Sequence, residues 1–145
     1  MNYLGKWKFH SIGTFDEDER FVYLTPEEYL ASPMDYVDTT DEEAVADELK
    51  ERKQMVGAQI YICEDGMLYM LMPLPEGVDD AEVDAAVKAG AITLRDGMIC
   101  GEPLELIERD GHLWLYDGLT TDGPTCITAN EGFITIATTR YLKID

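Results

Sequence analysis

Short apolar runs joined by Asp-Gly dipeptides constrain this chain more than any other feature. The dipeptide recurs at Asp65-Gly66, Asp96-Gly97 and Asp110-Gly111, with Glu131-Gly132 as a weaker relative. A two-residue hairpin turn holds its central residues at positive φ, which glycine adopts freely and aspartate tolerates, so each dipeptide predicts a β-hairpin. Such a turn at Asp65-Gly66 sets Cys63 opposite Leu68, Tyr61 opposite Met70 and Gln59 opposite Met72 on one face, and Ile62 opposite Tyr69 and Ile60 opposite Leu71 on the other. The turn at Asp110-Gly111 puts Leu104, Leu106, Leu113 and Leu115 on one side and Ile107, Trp114 and Tyr116 on the other. Strands that are apolar on both faces need cover on both.

Extended runs are expected over Tyr3–Phe15, Arg20–Leu24, Ala58–Glu64, Met67–Pro73, Ala91–Arg95, Met98–Glu108 (kinked near Gly101 and Pro103), His112–Asp117, Thr125–Ala129 and Phe133–Lys143. Because sequence neighbours pair through short turns, the sheet is predicted to be an antiparallel meander. A meander of about nine strands curls up, since closure removes the open edges that invite aggregation. Helix start signals interrupt it. Thr25-Pro26-Glu27-Glu28 supplies an N-cap, a first-turn proline and a capping glutamate for a helix near 26–31. Thr40 with Glu43 forms a second capping box, and Val45, Leu49, Met55 and Val56 give a narrow apolar stripe on a helix over 41–56. Asp79 and Asp80 precede Val83, Ala86 and Val87, with Gly90 at the position of a left-handed cap, which predicts a helix over 80–89. The fold class expected is mainly β with helical insertions, an antiparallel meander β-barrel forming a single domain over residues 1–145.

Composition narrows the function. A chain of 145 residues buries roughly 70% of its unfolded surface, enough for a core without disulfides or a structural metal. Lys plus Arg number 11 against 30 Asp plus Glu, a formal charge of −19. That field repels nucleic acid phosphates and anionic headgroups, so neither nucleic acid nor a membrane is an expected partner. Cys63, Cys100 and Cys126 are far apart and lack any metal or redox spacing, so they read as small hydrophobes on strands. No basic, apolar leader opens the chain and no run approaches the length of a membrane span, so a cytoplasmic protein is expected.

Motifs for catalysis are scarce. Neither a phosphate-binding loop nor a dinucleotide fingerprint is present. Asp16-Glu17-Asp18-Glu19 lacks the glycine and terminal glutamate of a calcium loop and reads as a solvated turn. The two histidines, His10 and His112, and the two serines, Ser11 and Ser32, offer no Ser-His-acid set, since His10 and Ser11 are adjacent on one strand. No catalytic residue, metal or cofactor is therefore assigned. The aromatic and methionine residues of the strands are the remaining candidates, as packed core or as the lining of a cavity.

The two chain ends carry a likeness. Gly5-Lys6-Trp7 resembles the Gly-x-Trp signature of the lipocalin and fatty-acid-binding-protein superfamily, the calycins, and Thr138-Thr139-Arg140-Tyr141-Leu142-Lys143 is similar to its closing strand. The resemblance implies a meander barrel closed by its first and last strands, with Gly5, Trp7 and Arg140 at the closure and the Arg140 guanidinium packed across the Trp7 indole. It also implies binding of a small hydrophobic or amphiphilic ligand inside the barrel. With the Trp7 face taken as inward, the expected lining is Trp7, Phe9, Tyr61, Met70, Met72 and Trp114. The chain departs from the family where Arg140 and Tyr141 are adjacent and so alternate faces, and where Thr25–Gly57 is longer than the helical portal of the intracellular branch. Two alternatives stay open. One is an acidic interaction or structural module with a filled barrel, and the other an enzyme using carboxylates that the sequence does not single out.

Overall fold

The computed structural model describes residues 3–34, 37–116, 123–129 and 132–144. Its strands are β1 (Gly5–Phe15), β2 (Phe21–Leu24), β3 (Gln59–Ile62), β4 (Met67–Met72), β5 (Thr93–Arg95), β6 (Met98–Cys100), β7 (Leu104–Arg109), β8 (His112–Tyr116), β9 (Thr125–Cys126), β10 (Ile134–Ile136) and β11 (Thr139–Lys143). Three helices, α1 (Pro26–Ala31), α2 (Glu42–Val56) and α3 (Asp80–Lys88), lie where their start signals place them. All the strands join one antiparallel sheet in the order β10-β11-β1-β3-β4-β7-β8-β9, with β2 on β1 and the β5–β6 hairpin on β4. The sheet curls into a half-barrel. Thr135 N donates to Ile127 O at 2.8 Å and Ile127 N to Leu113 O at 3.0 Å. The β10 edge is thereby hydrogen-bonded to the segment after β9.

Turn chemistry explains most of the hairpins. Asp96-Gly97 and Asp110-Gly111 both have positive φ at both positions, and the pairs Arg95↔Met98 and Arg109↔His112 flank them as two-residue turns. Asp65-Gly66 behaves differently. Cys63 N donates to Met67 O, Gly66 N to Cys63 O, and the Asp65 carboxylate takes the Met67 amide at 2.8 Å. Glu64, Asp65 and Gly66 therefore form a longer loop, and the register moves by one residue: Tyr61 faces Tyr69 and Ile60 faces Met70. Two long runs are split. Gly101–Pro103 divides Met98–Glu108 into β6 and β7, and Ala137-Thr138 turns the chain between Ile136 and Thr139, making a hairpin of the expected last strand. The Glu131-Gly132 turn and the Asp117 end of the β8 run include positions outside the described residues.

Helix caps follow local hydrogen bonding. Thr25 and Glu28 complete a reciprocal capping box on α1. At α2 the cap is Asp41, whose carboxylate accepts from Glu43 N and Ala44 N, because the Thr40 hydroxyl is already committed to Asp38 at 2.6 Å. At the end of α3, Ala91 N donates to Ala86 O and Gly90 N to Val87 O around Gly90 at φ 77°, the Schellman arrangement that its glycine predicts.

The hollow of the sheet is filled. Trp7, Ile60, Ile62, Leu68, Leu113, Ile127, Ile134 and Tyr141 form one buried cluster, with Tyr3, Met70, Leu104, Leu106, Leu115 and Ile136 packed onto it. These residues come from strands all round the curl. The Trp7 indole donates to Tyr3 O at 2.9 Å, which satisfies the polar edge of a ring with no exposed surface. The closing contact implied by the resemblance is not the one formed. Trp7 pairs with Lys143, and Arg140 lies further along β11 opposite Ser11. Tyr141 belongs to the core, so its neighbour Arg140 points to the outer face, over the rings of Tyr23 and Phe133.

Candidate functional site

The β1–β2 hairpin leaves a cleft beside α1. Pairs Ile12↔Leu24 and Thr14↔Val22 set these side chains on one face of the hairpin. That face meets Glu28 and Tyr29 of α1, Ser32 and Pro33 beyond it, and Arg52 of α2, enclosing about 790 Å³. Phe15, Asp16 and Glu17 form its exposed rim. The volume falls within the roughly 300–1,000 Å³ of small-molecule sites, and the lining sets apolar walls of Ile12, Val22, Leu24 and Tyr29 beside Thr14, Ser32, Arg52 and the carboxylates of Asp16, Glu17 and Glu28.

Arg52 holds the α1 wall in position. It is 3% exposed, and its guanidinium bonds Glu48 at 3.0 Å, Tyr29 O at 3.1 Å, Ser32 O at 2.8 Å, Ser32 Oγ at 2.9 Å and Pro33 O at 3.2 Å. A buried guanidinium so placed neutralises the carbonyl end of α1 and pairs a half-buried carboxylate in the same stroke. In the sequence it is one basic residue among several on the charged face of α2.

A smaller cleft of about 480 Å³ lies at the other end of β1, lined by Tyr3, Leu4, Ile62, Cys63, Glu64, Gly66, Leu106, Glu108, Gly111 and Leu113. The packed core separates it from the first.

The residues expected to line a ligand are distributed rather than gathered. Trp7 is inside the core cluster and Met70 packs against it. Phe9 shares the Trp7 face of β1 and stacks on Tyr29 with centroids 6.2 Å apart, beneath α1. Tyr61 and Trp114 alternate with the core residues Ile60, Ile62 and Leu113, which places both on the outer face. Tyr61 lies there under Lys6 and Arg95, and Trp114 under Arg109. Met72 is half-buried at the β4–β6 pairing, opposite Ile99. None of these six lines either cleft. Gly5 takes φ 115°, a conformation open to glycine, where β1 begins beside Lys143.

Electrostatics mark two further places. Burial pushes the Tyr141 phenol up to about 12. Partial burial, then Arg140 and Lys8, hold the His10 imidazole below its ordinary value, so it is neutral at pH 7. His112 is exposed, with Nδ1 3.0 Å from the hydroxyl of buried Thr128, and Leu113 N donates to the same oxygen at 3.0 Å. The three cysteines are unpaired and half-buried. Among the described residues no group of three or more His, Cys, Asp or Glu is arranged to hold a metal, and no helix is long and apolar enough to cross a membrane. No protein-family model matches the chain, and neither a curated protein nor a solved structure matches it.

Proposed function

We propose that the protein is a non-catalytic binding module that takes a small, largely apolar or amphiphilic molecule in the cleft between the β1–β2 hairpin and α1. The observation that carries this reading is the cleft itself: about 790 Å³ walled by Ile12, Val22, Leu24 and Tyr29. Apolar burial there supplies affinity at roughly 25 cal/mol per Å², and the Thr14 and Ser32 hydroxyls orient a polar end. The calycin likeness of the chain ends supports the ligand class, with the occupant moved from the barrel interior to its helical end because core side chains fill the interior. Three unpaired cysteines suit a reducing, cytoplasmic setting.

The uncharged fluorophore N-phenyl-1-naphthylamine tests the reading. The wild-type protein is expected to enhance its fluorescence saturably, and Val22→Trp, which fills the cleft from an exposed hairpin, is expected to weaken binding about tenfold or more. Equal binding by the variant overturns the assignment.

A second reading is favoured by the packed interior together with the −19 charge: an acidic module that meets a basic protein partner. Its mark is association that falls steeply with added salt and is indifferent to Val22→Trp.

A further inference from the structure

The opposite face of the same hairpin, whose side chains meet the cleft only at the rim residue Phe15, carries an unbroken run of rings around one guanidinium. Phe15 and Phe21 lie 5.4 Å apart edge to face, and Phe21 and Tyr23 lie 5.2 Å apart. The Arg140 guanidinium sits 3.6 Å from the Tyr23 centroid and 4.6 Å from that of Phe133, and Phe133 lies 4.7 Å from the His10 ring. The assembly depends on two backbone features. A bulge between Phe9 and Ser11 inserts His10 and turns Ser11 onto the face of its partner Arg140. Gly13, opposite Tyr23, has no side chain to lift Phe21 away.

The geometry leaves the guanidinium one open edge. Two rings pack close to it, and Nε donates to Ser11 Oγ at 2.9 Å. Ser11 Oγ in turn lies 3.0 Å from His10 Nδ1. The terminal nitrogens therefore present an end-on fork, the arrangement that accepts a carboxylate through two parallel hydrogen bonds. In a chain with 30 acidic residues, none of the ion pairs among the described residues involves Arg140. His10 stands beside it, its charged form disfavoured by partial burial and then by Arg140 and Lys8. Next to this positive point, Phe15 is 68% exposed and Phe21 47%, an apolar shelf.

We propose that this outer face binds a carboxylate carried on a flat aromatic body, with the Arg140 fork gripping the carboxylate and the Tyr23–Phe21–Phe15 ladder stacking on the aromatic part. The pairing of a half-buried fork with adjacent rings selects against either half alone: acetate lacks the stacking surface, and an uncharged arene lacks the anion.

The test uses 2-naphthoate, acetate and 2-naphthylmethanol, titrated into the isotope-labelled protein and followed by NMR. For 2-naphthoate, shifts are expected at His10, Ser11, Phe21, Tyr23 and the Arg140 side chain, with acetate and 2-naphthylmethanol each weaker by about fivefold or more. Arg140→Lys keeps the charge but loses the fork, and is expected to weaken 2-naphthoate about tenfold. The cleft variant Val22→Trp is expected to leave it unchanged, which separates this site from the proposed function. Equal affinity in Arg140→Lys, naphthoate shifts that fall in the cleft, no binding by the wild-type protein, or a dimer that covers Phe15 and Phe21 each overturns the proposal. Where Arg140→Lys does not fold, the shift map of the wild-type protein decides in the same terms.

Discussion

A β-carbon on Gly13 would lie 2.2 Å from the Phe21 ring, so this residue's role is to be absent. Phe21 is nearly half exposed and able to swing, so Gly13→Ala is expected to displace the ring and cost about 0.5–1.5 kcal/mol of the aromatic contact rather than unfold the protein. Thermal unfolding and the Phe21–Tyr23 proton contacts measure both effects. Arg52 is the opposite case. Removing it takes the cationic partner from half-buried Glu48 and a charged donor from the Tyr29, Ser32 and Pro33 carbonyls, and Arg52→Ala is expected to lose about 3–5 kcal/mol in denaturant unfolding. Arg52→Met with Glu48→Leu is expected to recover most of that loss, because an apolar pair leaves no buried charge. Tyr141 gives a pH signature. Its phenol titrates near 10 in the unfolded chain and at about 12 in the folded one. Its contribution is thus intact below pH 10 and lost as pH rises from 10 to 12, and Tyr141→Phe is expected to flatten stability across that window. None of these roles was visible beforehand except the burial of aromatics in strands. Arg52 cannot be told from Lys50 or Lys53 by type and spacing, since what distinguishes it is the position of α1 beneath it.

Among the elements, legibility followed how local the signal was. The starts of α1 and α3, the turns at Asp96-Gly97 and Asp110-Gly111, and the Gly90 cap all depend on hydrogen bonds within a few residues, and each formed where its residues predict, whereas at α2 the cap moved from Thr40 to Asp41. The Asp65-Gly66 hairpin slipped by one because Asp65 bonds Met67 N, a competition that the dipeptide alone does not reveal. The turn at Ala137-Thr138 lacked any glycine, proline or asparagine and passed for strand. Ala137 there takes φ 54°, a strained position for a residue with a β-carbon. Ala137→Gly is expected to raise stability by about 0.5–1 kcal/mol, seen as a higher midpoint in urea with unchanged slope. No loss of affinity for 2-naphthoate accompanies it, since β10 and β11 keep their register. The bulge at His10 was equally hidden, and it decides which way Ser11 faces.

For the whole molecule, the alternation of apolar residues was enough to predict an antiparallel meander that curls on itself, because pairing of sequence neighbours leaves few other arrangements. Whether a curled sheet is hollow depends on side chains from strands far apart in sequence, and that was not legible. Here Trp7, Tyr141 and the isoleucines of β3, β10 and the seam meet at its centre. The space for a ligand is displaced to the end covered by α1, where Arg52 and the hairpin hold the walls apart. The interior is thus packed and the end beside α1 open. Methyl-resolved NMR of the protein saturated with N-phenyl-1-naphthylamine tests that separation most directly. The account predicts contacts from the fluorophore to Ile12, Val22 and Leu24, with the methyls of Ile60, Leu68 and Ile127 unmoved. Contacts to Ile60, Leu68 and Ile127 instead would contradict it.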